Sequence, residues 1–201
     1  MAERIPRPKL SGAADYIATV GGIGLLPIMP GSWCSIVVAL PALFVAMTVE
    51  TTQIAYGIGL VVFTILGLWS VPRIQGKWGH DPNVVVVDEA MGMCITFMFP
   101  AASMGWVMWA CSVFLFRLFD VMKPWPISVI NDRTEAWAVL GDDVLAGLFA
   151  GFSTQLIATA LMALGIVDTR LFLGQWPLNS YEMGGFRTCD LSNPYEIGRC
   201  G

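Results

Sequence analysis

Residues 144–167 restrict this chain more than any other feature: they form twenty-four consecutive positions without a charged side chain. A helix needs about 20 apolar residues to cross the hydrocarbon core of a bilayer. Within that core only helices and closed barrels satisfy their own backbone groups. Two further uncharged runs, 33–49 and 54–71, sit at the short end of the same requirement, and residues 50–53 between them leave room only for a hairpin. A fourth run, 90–116, is interrupted by Pro100 and Gly105. It is too long for one span and too short for two ordinary ones. It reads as a kinked helix, or as a half-helix over 90–99 followed by a full one over 101–116. A bilayer tolerates such a break only where protein or a cavity satisfies the freed backbone groups. Composition agrees: of 201 residues 56% are hydrophobic and 13% charged, against about 25% charged in soluble domains, and mean hydropathy is +0.67. The predicted fold is an all-α polytopic membrane protein with about four transmembrane helices plus broken or half-helical segments.

The rest of the chain divides around these runs. Residues 1–12 are a polar N-terminal segment, 13–167 the membrane-embedded domain and 168–201 a polar tail. Residues 13–31 are apolar but broken by Gly21, Gly22, Gly24, Pro27, Pro30 and Gly31, which predicts a helix or half-helix and then a loop over 27–32. Polar stretches cover 72–87 and 117–143, with Pro124 and Pro126 ending the preceding helix. No small-x-small cleavage site closes the first apolar stretch, so it does not read as a removable signal. There is no internal repeat. Cys34, Cys94 and Cys111 lie in apolar runs, where the thiol behaves as a small hydrophobe. Cys189 and Cys200 could pair if the tail faces an oxidising compartment. The net charge of -4, without a basic stripe, gives no footprint for nucleic acid.

Basic residues set the orientation. Arg4, Arg7 and Lys9, then Arg73 and Lys77, then Arg117, Lys123 and Arg133 fall on one side, which the positive-inside bias makes the cytoplasm. The tail's Arg170, Arg187 and Arg199 fall on the other and weaken the bias. This placement, drawn from basic residues alone, also brings Asp81, Asp88, Glu89, Asp120, Asp132, Glu135, Asp142 and Asp143 to a single face. Asp88-Glu89 and Asp142-Asp143 each precede an apolar run. Helix capping and dipole compensation would account for one acid per helix. Two adjacent acids, twice, exceed that need, and neighbouring carboxylates repel unless a cation or proton lies between them. Asp81, Asp88, Glu89, Asp142 and Asp143 are therefore candidate metal ligands, and oxygen donors with a single His in the chain suit Mg²⁺ better than zinc.

Arg117, Asp120 and Lys123 are spaced to share a helix face. They read either as an interfacial snorkelling ladder or as a phosphate clamp, Arg117 and Lys123, beside another metal carboxylate. His80-Asp81 is either a solvated loop pair or a general acid or base near Asp88. Gly31 and Ser32, before the first full span, could offer N–H groups and a hydroxyl to a phosphate.

The segments GIGLLPIMPGSW (22–33), HDPNVVVVDEAMGM (80–93), FRLFDVMKPWPI (116–127) and GDDVLAG (141–147) resemble the phosphatidylglycerophosphatase A family of bacterial membrane enzymes, in the same order and with similar spacing. The resemblance runs from about residue 13 to 167, while the tail and Trp33-Cys34 depart from it. It implies a Mg²⁺-dependent lipid phosphatase that removes the terminal phosphate of phosphatidylglycerophosphate in the bacterial inner membrane, its site facing the cytoplasm and its substrate a phospholipid in the bilayer. The implied catalytic residues are Asp88, Glu89, Asp120, Asp143 and His80. Arg117, Lys123, Gly31 and Ser32 hold the phosphate, and Asp81, Asp88, Glu89, Asp142 and Asp143 the metal. Uncatalysed phosphomonoester hydrolysis is very slow, and such a site would neutralise phosphoryl charge and align a nucleophile. Either water or an aspartate could attack; the absence of a DxDxT pattern favours water. The alternatives are a phosphatase for a related lipid phosphate, a transporter or channel, and a structural membrane protein. Broken helices fit a transporter, but the runs 33–49, 54–71 and 144–167 carry no charge to line an ion path.

Overall fold

A computed structural model describes residues 9–44, 49–78, 84–128 and 136–165. Among these every regular element is helical: α1 (Ala13–Ala18), α2 (Pro30–Phe44), α3 (Val49–Trp78), α4 (Val87–Phe97), α5 (Gly105–Met122) and α6 (Ala136–Ala163), with 3₁₀ turns at Ile23–Leu25 and Pro100–Ser103. Among the described residues three helices are long and apolar enough to cross a membrane: α3, α5, and α6 over Leu140–Ala163. The first predicted span falls on α2, of which 15 residues are described. Their outward faces carry the large apolar side chains a lipid contact needs, among them Ile58, Ile65, Phe114 and Leu156, each more than 60% exposed.

The centre of the bundle is α4. It spans 11 residues, of which all but Glu89 are buried, and a helix apolar on every side must be enclosed. It packs against α2, α3, α5 and α6. At about 1.5 Å per residue it covers only half the thickness of a bilayer core, so its far end must be satisfied inside the protein. The Gln53 amide of α3 donates to the Met98 carbonyl at 2.9 Å, and Gln155 of α6 accepts the Ala101 N–H at 3.2 Å. The break expected near Pro100 is thus tied down by side chains from two neighbouring helices, as a break at membrane depth requires.

Close approach of α4 and α6 depends on two glycines. A Cβ on Gly147 would lie 2.4 Å from the Gly92 carbonyl oxygen, and one on Gly92 would lie 2.6 Å from the Asp143 carbonyl oxygen. Small residues at such crossings let apolar helices meet backbone to backbone. On the other flank α1 packs on α3, where the Lys77 ammonium reaches Asp15 Oδ2 at 2.5 Å and the Ser11 N–H donates to the same oxygen at 2.7 Å. Burial acts to raise the Asp15 carboxyl, but Lys77 and Ser11 outweigh it and hold it below its ordinary value.

Four boundaries differ from the sequence expectation. Helix α3 continues through Pro72 to Trp78, where a polar loop was expected, because the Asp15 contact and the Arg73 guanidinium stacked 4.3 Å from the Trp69 ring centroid anchor its last turns. Residues 50–53 belong to the first turn of α3 and are not the connection itself. Helix α6 starts at Ala136, so Asp142 and Asp143 stand inside a helix and do not precede one. Pro30–Ser32, expected in a loop, form the first turn of α2, a position proline favours because its missing N–H has no helical partner there.

Candidate active site

Helices α2, α4, α5 and α6 bring charge to one end of the bundle. The first turn of α4 carries Asp88 and Glu89. A helix start leaves N–H groups without helical partners, and Asp88 Oδ1 accepts that of Glu89 at 3.0 Å. That bond serves an N–H of the first turn, while the N-cap position is Val86 and carries no side-chain cap. The same local bond recurs on α6, where Asp142 Oδ1 accepts the Asp143 N–H at 3.1 Å. Because that pair lies inside its helix, capping does not explain it.

The two acids of α6 diverge. Asp142 Oδ2 takes the Lys123 ammonium at 2.5 Å. Asp143 turns to α4, where one oxygen each of Asp88, Glu89 and Asp143 lies within 4.8 Å of the others. Asp88 and Asp143 are 8% and 4% exposed. Glu89 Oε2 and Asp143 Oδ1 are buried without a hydrogen-bond partner among the described residues. Three carboxylates so close and so shielded from water cannot all hold their charge unless a cation or proton joins them. Unpartnered buried oxygens in an all-carboxylate set fit a hard divalent cation such as Mg²⁺.

The cationic side of the site comes from α5. Arg117 Nη1 sits 2.5 Å from Asp120 Oδ2 and 3.8 Å from Glu89 Oε1, while its Nε is buried without a partner among the described residues. Lys123 does not continue the ladder of Arg117 and Asp120. It is the C-cap of α5, with φ +42°, a left-handed conformation that costs a non-glycine residue roughly 1–3 kcal/mol and that surrounding contacts must impose. The turn swings its ammonium to Asp142. Burial acts to lower the Lys123 ammonium, but Asp142, Asp143 and Asp120 outweigh it and keep it above its ordinary value.

Gly31 and Ser32 reach the same place from the first turn of α2. Gly31 is buried, and a Cβ there would lie 2.1 Å from Glu89 Oε1 and 3.0 Å from Arg117 Nη1. Its clearest structural role is to make room for that pair. Ser32 lies with Arg117 on the wall of a cleft between α2 and α5. The structure thus brings together Asp88, Glu89, Arg117, Asp120, Lys123, Asp142, Asp143, Gly31 and Ser32. His80, Asp81, Asp132 and Glu135, like the tail with Cys189 and Cys200, lie outside the described residues. Gly92 and Gly147 had no role assigned from sequence, although both stand inside the quoted motifs. The available signal was small residues at four-residue spacing, as in Gly147 and Gly151, in an otherwise apolar helix.

Comparison with known proteins places the chain in a family. The family model described as Phosphatidylglycerophosphatase A matches residues 16–158. A Bacteroides thetaiotaomicron protein provisionally named a phosphatidylinositol-3-phosphatase is 32% identical over 159 residues, covering 74% of this chain and 94% of the relative. Proteins named Phosphatidylglycerophosphatase A from Haemophilus influenzae and Escherichia coli are 30% and 31% identical, covering 75% and 72% of this chain and 93% and 83% of the relatives. No solved structure gives a significant match. The helices long enough to span a bilayer and the family match over most of the chain together make this a membrane phosphatase that belongs to the phosphatidylglycerophosphatase A family.

Proposed function

We propose that this chain hydrolyses the terminal phosphomonoester of phosphatidylglycerophosphate to phosphatidylglycerol and inorganic phosphate, with Mg²⁺ held by Asp88, Glu89 and Asp143, at the cytoplasmic face of a bacterial inner membrane. The observation that carries the reading is the meeting of those three carboxylates beside Arg117, with two buried oxygens that have no hydrogen-bond partner among the described residues. Asp120, Lys123 and Asp142 border them. When bound, the cation supplies Lewis-acid neutralisation of phosphoryl charge. Arg117, its Nε without a partner among the described residues, would bind a second phosphoryl oxygen, and Asp120 holds its guanidinium in place. Lys123, fixed by Asp142, adds positive charge at the same rim. A carboxylate oxygen not engaged by the cation would take the proton of the attacking water as the new O–P bond forms. The glycerol oxygen leaves with its own P–O bond broken and picks up a proton, for which His80 remains the sequence-based candidate.

The cytoplasmic face follows from the Lys and Arg bias. Lys77, in the last turn of α3, pairs with Asp15 of α1, in line with a polar interface there. A second reading, hydrolysis of phosphatidylinositol 3-phosphate, is favoured by the name of the Bacteroides thetaiotaomicron relative. Phosphate release by the purified protein in detergent separates the two. Phosphatidylglycerophosphate is expected to be turned over with Mg²⁺ and spared after EDTA, and phosphatidylinositol 3-phosphate to be turned over slowly. The reverse preference would move the assignment to the inositol lipid. Turnover that survives EDTA would remove the cation from the reaction.

A further inference from the structure

The charged cluster opens on one side into an apolar cleft of about 310 Å³ between α2 and α5. Ser32 and Ile36 line it from α2, and Trp109, Val113, Phe114 and Arg117 from α5. The two helices run antiparallel here. Gly31 lies against Arg117 at one end, and the Trp109 indole N–H donates to the Ala39 carbonyl at 2.8 Å toward the other. That bond satisfies the polar atom of the indole, so the ring offers the cleft only hydrocarbon. The cleft therefore begins at the guanidinium that borders the carboxylates and follows α5 away from it for two turns, about 12 Å. Helix α5 is long and apolar enough to cross the membrane, and Phe114 on its cleft side is 64% exposed, which leaves the cleft open toward the bilayer.

We propose that this cleft holds an acyl chain of the lipid substrate, which enters sideways from the bilayer with its phosphate leading toward Arg117. The inference rests on the phosphatase reading above and adds the route and the tail contact to it. A phosphomonoester on a membrane lipid is an anion joined to hydrocarbon within a few bonds. Here a half-buried cation and an apolar trough adjoin in the same order. Moving a chain from lipid into the cleft gains almost no hydrophobic free energy, since the bilayer is already apolar. What the cleft contributes is position. With the chain held between α2 and α5, the phosphate stops at the carboxylates, where small displacements cost large factors in rate.

The test compares dioleoyl with dihexanoyl phosphatidylglycerophosphate in the same detergent micelles. Ala110 also lines the cleft and faces outward, so Ala110→Trp fills the trough without entering the core. It is expected to lower the dioleoyl-to-dihexanoyl ratio of kcat/KM by about tenfold or more. Ile65→Trp, on the lipid face of α3 and 63% exposed, is expected to leave both rates and the ratio unchanged. As a second measurement, a dioleoyl-type substrate carrying a diazirine in one acyl chain should crosslink to residues 32–36 and 109–114 in preference to 58–65. An unchanged ratio in Ala110→Trp, or equal labelling of the α3 face, overturns the proposal. If the wild-type protein hydrolyses neither lipid, the phosphatidylglycerophosphate reading fails, and the crosslinking pattern still decides the cleft.

Discussion

At Gly31 the site leaves no room for a methyl group. A Cβ would press on Glu89 Oε1 and Arg117 Nη1, both at the ends of side chains that can move. The fold should therefore survive Gly31→Ala while the geometry of the cluster does not. The expected outcome is a fall in kcat/KM of about 10- to 100-fold, with helical circular dichroism and thermal midpoint close to wild type. A large loss of stability with full activity would assign Gly31 to packing alone. At this scale the sequence was informative where charge stood out against an apolar background. Asp88, Glu89, Arg117, Asp120, Lys123, Asp142 and Asp143 are conspicuous for that reason, and the structure brings them together. What the sequence could not show is how the acids divide: Asp142 to Lys123, Asp143 to Asp88 and Glu89. That division depends on the α6 register and on the left-handed turn at Lys123, both of which tertiary contacts fix.

The helices meet because their contact surfaces are bare. Asp143 reaches α4 only because Gly147 and Gly92 let the two backbones touch. For Gly147→Ala the obstacle is a backbone oxygen at 2.4 Å, which cannot swing aside, so the helices must separate. Overpacking of this kind costs about 1–3 kcal/mol. Gly76 on α3 provides the opposite case, since nothing lies within 4 Å of a Cβ placed there. There alanine gains helix propensity of up to about 1 kcal/mol. Denaturant titration in detergent should move the two midpoints in opposite directions. A neutral Gly147→Ala would mean that the α4–α6 contact is looser than these distances require. Helix existence was legible from the uncharged runs, and the break at Pro100 from proline itself. Helix ends were not. Polar residues at 72–78 and 136–143 read as loops by composition, yet they are wound as helix: the first held by Asp15 and Arg73, the second carrying its acids inward to the cluster. Local polarity marks where a helix leaves the lipid, which need not be where the helix stops.

For the molecule as a whole, the apolar spans and the acidic cluster pull in opposite directions. Among the described residues the bundle gathers Asp88, Glu89, Asp120, Asp142 and Asp143 around two cations, Arg117 and Lys123. Shielding from water makes that excess of negative charge costly, and the cost falls on the convergence of α4, α5 and α6. A cation bound between α4 and α6 would relieve it and favour the folded bundle by mass action, about 2.7 kcal/mol at a hundredfold excess over Kd. For a chain of this length that corresponds to a rise of several degrees in thermal midpoint. Wild-type protein in detergent is therefore expected to be stabilised by millimolar MgCl₂ beyond the effect of NaCl at matched ionic strength, which tests for screening alone. Asp143→Asn keeps the shape of the side chain and removes one of the three converging charges. It should lose activity by orders of magnitude, match or exceed wild-type stability without the metal, and lose the MgCl₂ response. These three outcomes are linked, because a single carboxylate is asked both to hold the cation and to destabilise the empty bundle. If Asp143→Asn unfolds, the residue is structural and the relief argument fails. If it folds and still answers to MgCl₂ as wild type does, the cation binds elsewhere, and the convergence of α4 and α6 serves some purpose other than metal binding.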